Sequence, residues 1–474
     1  MLESALIVLG TFVTVILLIL TNKMNRAIAA ISGSIVCYFT LTFIEKQDFL
    51  IFVDFLIGKS NPGHPDGGFV NLHSIILILG MMFIVQICHE AGVFQFIAFR
   101  LVQFTKGKPT YLLFILCTLT VLISAVLNNI LTVIILIPLT IMVSKILNID
   151  SQPYILMEAI LVNLGGTFFS ISSVPNILVT NSAGISFGEF FINVGLLSIV
   201  TFTITLGFFF VLYRKKLIYN EENTWILQEY NAWNFVQNRS LLYKCLITLL
   251  GVIICFVVIP TETLPPDIIA LTGAFILVIS SKLAPREIIK KIDFEFLLYL
   301  LGIFVIAGAL ETTGVIKYIG DGLAFLGGDD PFAAIMIILW VSAFLSASID
   351  NIPITQVLIP VVGVIAGGLN TAMRPFAYYS LIFGANWGDN LTPMGDNILV
   401  VTLAEQNKRP INIKAFTKLG FVTTVFQLVI ISTFYAFIMN IVIGIILSSV
   451  LVIVIIFLLS RQKKRNKLKE KNTK

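Results

Sequence analysis

Long apolar runs alternate with short polar stretches along almost the whole chain. A run of roughly 20 apolar residues is long enough to cross a bilayer as a helix. On that basis the pattern predicts crossings at Ala5–Leu20, Ala27–Ile44, Leu72–Cys88, Tyr154–Thr180, Phe190–Tyr213 and Leu241–Pro260, and again at Ile268–Lys282, Phe294–Leu310, Phe376–Glu405, Phe416–Met439 and Ile441–Ser460. Two further apolar stretches, Tyr111–Leu147 and Phe332–Leu369, carry polar residues in the middle. Each predicts a helical hairpin that enters the membrane and returns to its own side. The runs are continuous rather than alternating, which argues against a barrel.

The break at Gly384–Gln406, GANWGDNLTPMGDNILVVTLAEQ, is the most polar stretch at membrane depth. Gly and Pro interrupt the backbone hydrogen-bond ladder, and in lipid the freed groups find partners only inside protein or at a water-filled cavity. The stretch therefore predicts a broken helix that lines a functional pocket.

Composition agrees with this reading. The chain has 474 residues, 57% hydrophobic and 12% charged, with a mean hydropathy of +0.98. A soluble domain carries about 25% charged residues. Lys23, Arg26, Arg100, Lys106, Lys108, Arg214, Lys282, Arg286, Lys290, Lys291, Lys408, Arg409 and Lys414 fall on one face if both hairpins return to their own side. Glu45, Asp48, Asp54, Asp66, Glu189, Glu262, Asp267, Asp329 and Asp330 fall on the other, with Lys46, Lys59 and Lys317 as exceptions. Basic loops stay cytoplasmic, so the chain is expected in the cell or inner membrane with the N-terminus outside and the C-terminus inside. Residues 461–474 form a basic tail suited to anionic lipid, and nucleic acid is not an expected partner. The five Cys are scattered in apolar segments without a CxxC pair and read as core residues.

The halves are related at an offset of about 222 residues. SAVLNNILTVIILIP from Ser124 aligns with SASIDNIPITQVLIP from Ser346, and Gly80 and Gly92 align with Gly302 and Gly314. Asn163–Gly165 aligns with Asn386–Gly388, and Asn176 with Asn397. The first hairpin falls on the cytoplasmic side and the second on the outer side. The fold class expected is thus all-α and polytopic, built from two inverted repeats, each with a re-entrant hairpin and an unwound helix. Residues 1–213 form the first repeat, with hairpin 111–147 and broken helix 154–180. Residues 214–240 are a linker in the cytoplasmic interface, and 241–439 the second repeat, with hairpin 332–369 and broken helix 376–405. Residues 440–460 form an extra helix.

Four polar stretches are expected to meet near the midplane. They offer Ser124, Asn128, Asn129 and Thr132; Asn163, Gly165, Thr167 and Asn176; Ser346, Asp350, Asn351 and Thr355; and Asn386, Gly388, Asp389, Asn390, Thr392, Asp396 and Asn397. Amide, hydroxyl and carbonyl oxygens suit a hard cation, and half-helix N-termini suit an anion. A carboxylate at this depth is costly unless paired, cation-bound or protonated. Asp350, Asn351, Asp389 and Asn390 are therefore the candidate Na⁺ ligands, with capping of a half-helix as the structural alternative for Asp350 and Asp396. Glu158, opposite Leu381 in the other half, reads as interfacial. No Arg is placed clearly in the pocket, since Arg374 stands at an outer helix start.

SAxxDN–P in the second hairpin, then GANxGxNLTPxGxxxN and a downstream AEQ, resemble the ion transporter superfamily. The likeness points to its arsenite-permease and NhaD-type antiporter group and to the melanosomal P-protein relatives, with citrate and dicarboxylate carriers as more distant cousins. It implies inverted repeats whose hairpin tips and unwound segments enclose a shared ion and substrate site, and a homodimer. The first half departs from the family pattern, with Asn128 where relatives often carry Asp and GGTFFSISSVPN in the loop.

The leading functional expectation is a secondary transporter working by Na⁺/H⁺ antiport. The alternatives are a permease for arsenite, citrate or a dicarboxylate, and a channel. Neither a P-loop nor a nucleophile–base pair stands out, so an enzyme is not expected. No cofactor is expected, and Na⁺ or H⁺ is the expected coupling ion. Lipid and a small ion or anion are the partners expected besides the second subunit.

Overall fold

A computed structural model describes residues 2–21, 23–47, 72–214, 224–261, 263–328, 330–392 and 397–449, and all regular structure among them is helical. The helices of ten residues or more are α1 Leu2–Leu20, α2 Arg26–Phe43, α3 Leu72–Glu90, α4 Val93–Phe104, α5 Pro109–Ser124, α6 Asn129–Ile146, α7 Gln152–Gly165 and α8 Val174–Ala183, then α9 Phe187–Tyr213. They continue as α10 Arg239–Val258, α11 Pro266–Ser281, α12 Phe294–Thr312, α13 Val315–Gly327, α14 Pro331–Ser348, α15 Asn351–Gly368, α16 Arg374–Gly388, α17 Asn397–Gln406 and α18 Ile413–Met439. Among the described residues, 10 helices are long and apolar enough to cross a membrane. The protein is an integral membrane protein. Residues 441–449 are helical, and the remainder of the expected extra helix and the basic tail lie outside the described residues.

The packing recurs with helix numbers shifted by nine. Helix α2 packs on α12 as α11 packs on α3, and α6 meets α17 as α15 meets α8. Small residues allow the closest of these approaches. A Cβ on Gly80 would stand 2.9 Å from the Ala270 carbonyl carbon, and one on Gly302 would stand 2.6 Å from that of Ala30. Helices α9 and α18 pair with each other, Gln427 Nε2 donating to Thr205 Oγ1 at 3.4 Å beside the Phe208 and Phe426 rings at 5.3 Å.

Two amphipathic helices, α4 and α13, are absent from the expected crossings. Each starts after a left-handed glycine, Gly92 (φ 74°) and Gly314 (φ 78°). Gly92 is doubly required, because a Cβ there would stand 1.9 Å from the Phe235 carbonyl oxygen. The described residues of the linker form a short helix Thr224–Glu229 and a single turn Ala232–Phe235, laid on α4. Gln103 donates to the Leu227 and Tyr230 carbonyls at 3.1 and 2.8 Å, and Phe96 and Phe99 meet Trp233 and Tyr230.

Candidate functional site

Both interrupted apolar stretches form helix pairs. Residues 125–128 join α5 to α6, and residues 349–350 join α14 to α15. The tips are built alike but end differently. Asn128 caps α6, its Oδ1 accepting from the Leu131 amide at 2.9 Å. Asp350 stands at the same place before α15 but makes no side-chain capping bond. Its carboxylate faces the Asn351 and Ile352 amides and lies within the field of Arg26.

The two broken helices are tied to these tips by matching bonds. Ser124 Oγ donates to the Val162 carbonyl at 2.6 Å and Ser346 Oγ to the Ala385 carbonyl at 2.6 Å. Ser172 donates to the Ala125 carbonyl as Thr392 donates to that of Ala347. In each break, an Asn at the start of the second half-helix closes the gap. Asn176 Nδ2 donates to the Gly166 carbonyl at 2.6 Å, and Asn397 Nδ2 to the Asp389 carbonyl at 2.9 Å. This accounts for carbonyls freed by the breaks without recourse to solvent. Gly165 and Gly388 end the first half-helices because the facing backbone leaves no room for a side chain. A Cβ would lie 2.7 Å from the Val121 carbonyl oxygen in the first case and 2.2 Å from that of Ala343 in the second.

A chain of carboxamides joins the halves. Asn129 Nδ2 donates to Asn163 Oδ1 at 2.6 Å, Asn163 Nδ2 to Asn390 Oδ1 at 2.7 Å, and Asn390 Nδ2 to the Ile160 carbonyl at 3.0 Å. Asn386 Nδ2 donates to Asn176 Oδ1 at 2.8 Å. Trp387, fully buried, donates to Thr167 Oγ1 at 3.2 Å. Sequence reasoning missed Trp387, because an indole in an apolar run carries no polar signal of its own.

A cavity of about 170 Å³ opens between the tips. It separates the sequence candidates into two groups. Asn128, Asn129, Asp350 and Asn351 line it, together with Ser172 and Ser173 of the first break. Ser124, Thr132, Asn163, Gly165, Thr167, Asn176, Ser346, Thr355, Asn386, Gly388, Asp389, Asn390, Thr392 and Asn397 do not line it. Most of them are buried in the walls behind it. Of the four candidate Na⁺ ligands, Asp350 and Asn351 thus share the cavity, whereas Asp389 and Asn390 sit behind it. Asp396 lies outside the described residues.

The cavity mouth carries charges that the sequence reading used only for topology. Arg26 lines it, held by Asp293 at 2.9 Å and Glu295 at 3.6 Å and lying over the Phe296 ring at 5.4 Å. Lys291 lines it too, paired with Glu90 at 2.7 Å. Three helix N-termini converge there, those of α6 at Asn129, α8 at Val174 and α15 at Asn351.

Residues 4–382 match the family model described as citrate transporter. The chain is also similar to a 46 kDa membrane protein of Mycobacterium leprae, 27% identical over 427 residues, 90% of this chain and 96% of that protein. It is 29% identical to an uncharacterized transporter of Mycobacterium tuberculosis over 420 residues, 87% of this chain and 94% of the relative. The P protein of Homo sapiens matches at 26% over 488 residues, 85% of this chain and 56% of that protein.

Proposed function

The chain belongs to the citrate transporter family of membrane transporters, and from that premise we propose that it carries a small carboxylate anion, citrate or a close relative, together with a coupling cation. The observation that carries this reading is the cavity's mixed charge. Arg26 stands across from Asp350, among carboxamides and three helix N-termini. A guanidinium and helix-terminal amides recognise a carboxylate. Asp350 and Asn351 offer oxygens to Na⁺, or a carboxylate to a proton.

The recurrence of helix contacts at a shift of nine supports two inverted repeats with re-entrant hairpins, the architecture of alternating access. With the basic face cytoplasmic, the lining by Arg26 and Lys291 supports an inward-facing form. Na⁺/H⁺ exchange is the second reading. The placement of Asp350 and Asn351 favours it. Arg26 in the cavity lining weighs against it, since exchange of two cations calls for no anion-binding guanidinium.

Arg26→Gln tests the assignment. A charge-assisted hydrogen bond is worth about 1.5–3 kcal/mol, so KM for citrate uptake in proteoliposomes is expected to rise roughly tenfold to hundredfold. An unchanged KM removes the anion from this cavity.

A further inference from the structure

Glu158 lies outside the cavity, on the first broken helix, and the transport reading gives it no role. It is not interfacial, as its sequence context suggests, but 1% exposed. Thr140 Oγ1 donates to its Oε1 at 2.6 Å. Its Oε2 is buried without a hydrogen-bond partner, and so is Ser144 Oγ, one turn beyond Thr140 on α6. Cys117 on α5 is the titratable group that senses it. Tyr154, one turn earlier on α7, and Tyr213 on α9 lie within the field of Asp150. The packed helices α6, α16, α17 and α18 add no charge to the groups that act on Glu158, and the turn Asp389–Leu391, which also packs on α7, carries Asp389.

The second half supplies an internal control. At the aligned offset, Glu158, Thr140, Ser144 and Cys117 correspond to Leu381, Val362, Ala366 and Leu339. All four of these are buried, in the equivalent contacts of α14, α15 and α16. The same packing is thus achieved with apolar residues alone. A buried carboxyl with a spare oxygen costs stability, and the fold does not require it. Such a group is retained for chemistry rather than packing.

We propose that Glu158, seated by Thr140, is a proton-binding site within the transport core, and that the proton it takes up and releases drives substrate movement. The proposal rests on the secondary-transport reading. Uptake transfers a proton from hydronium to Oε2, the oxygen that Thr140 leaves free, forming an O–H bond there and leaving water. Release returns the proton to water. Glu158 is six residues past the start of α7 at Gln152, roughly 9 Å along the helix, which places it near the basic face rather than at the centre.

Infrared spectroscopy of the purified full-length protein in lipid reads the proton directly. The wild type is expected to show the carbonyl band of a protonated carboxylic acid, shifting in D₂O, and Glu158→Gln to lack it. In proteoliposomes, accumulation of labelled citrate driven by a proton gradient is expected to fall about tenfold or more in Glu158→Gln. If Glu158→Gln does not fold, the triple variant Thr140→Val, Ser144→Ala, Glu158→Leu installs the second half's apolar set and is read the same way. Identical infrared bands in wild type and variant overturn the proposal, as does undiminished gradient-driven accumulation. If the wild type moves no citrate, the substrate assignment fails, while the infrared comparison still decides Glu158.

Discussion

Asp350→Asn abolishes gradient-driven uptake and leaves the fold intact. The carboxylate lines the cavity with Arg26, with no side-chain capping bond to α15 although it faces the Asn351 and Ile352 amides, so its charge is shared between the helix end and the cavity. A hydrogen bond or contact to a charged group is worth about 1.5–3 kcal/mol, so losing this carboxylate lowers cation binding roughly tenfold to hundredfold. Folding is spared for a local reason. Asn is as good an N-cap as Asp, and the first hairpin already carries Asn128 at this place, bonded to Leu131. Initial uptake rates in proteoliposomes and the thermal unfolding midpoint of the purified variant check both halves of the statement. A variant that transports at the wild-type rate removes Asp350 from the mechanism.

Gly388→Ala is expected to damage the fold severely. The added Cβ would lie 2.2 Å from the Ala343 carbonyl oxygen and 2.6 Å from its Cα, so the obstacle is backbone and cannot rotate away. Helix α16 would have to leave α14, and the turn Asp389–Leu391 would move with it. Overpacking of this kind costs about 3 kcal/mol or more. Gly367→Ala is the matched control, because nothing lies within 4 Å of a Cβ there. The yield of monodisperse protein and its unfolding midpoint should drop for Gly388→Ala and hold for Gly367→Ala. Equal behaviour of the two variants contradicts the packing argument.

The long apolar helices and the breaks are legible in the sequence because apolar length and polar interruption are one-dimensional signals. The polar tips at Asn128 and Asp350, and the breaks after Gly165 and Gly388, lie where the residue pattern puts them. The reason for a glycine is less legible. Gly384 reads as a helix breaker, yet α16 runs through it, and its missing side chain makes room for Ser342 Oγ, which lies 1.9 Å from where a Cβ would stand. Helices α4 and α13 are too short to register as crossings. Arg26 reads as a topology marker, since only the tertiary fold carries the start of α2 to the tip of the second hairpin. The same limit explains why wall residues such as Asn163 and Asn390 cannot be told from cavity residues by sequence. Both groups are polar at the same depth, and only their bonds to each other separate them.

The most direct test of the account is labelled citrate uptake into proteoliposomes holding the wild-type protein, with a Na⁺ or proton gradient imposed. Saturable accumulation against the citrate gradient, abolished when the ion gradient is collapsed and accompanied by counterflow, is the predicted result. Citrate flux that does not saturate, or that ignores both ion gradients, would contradict a coupled carrier.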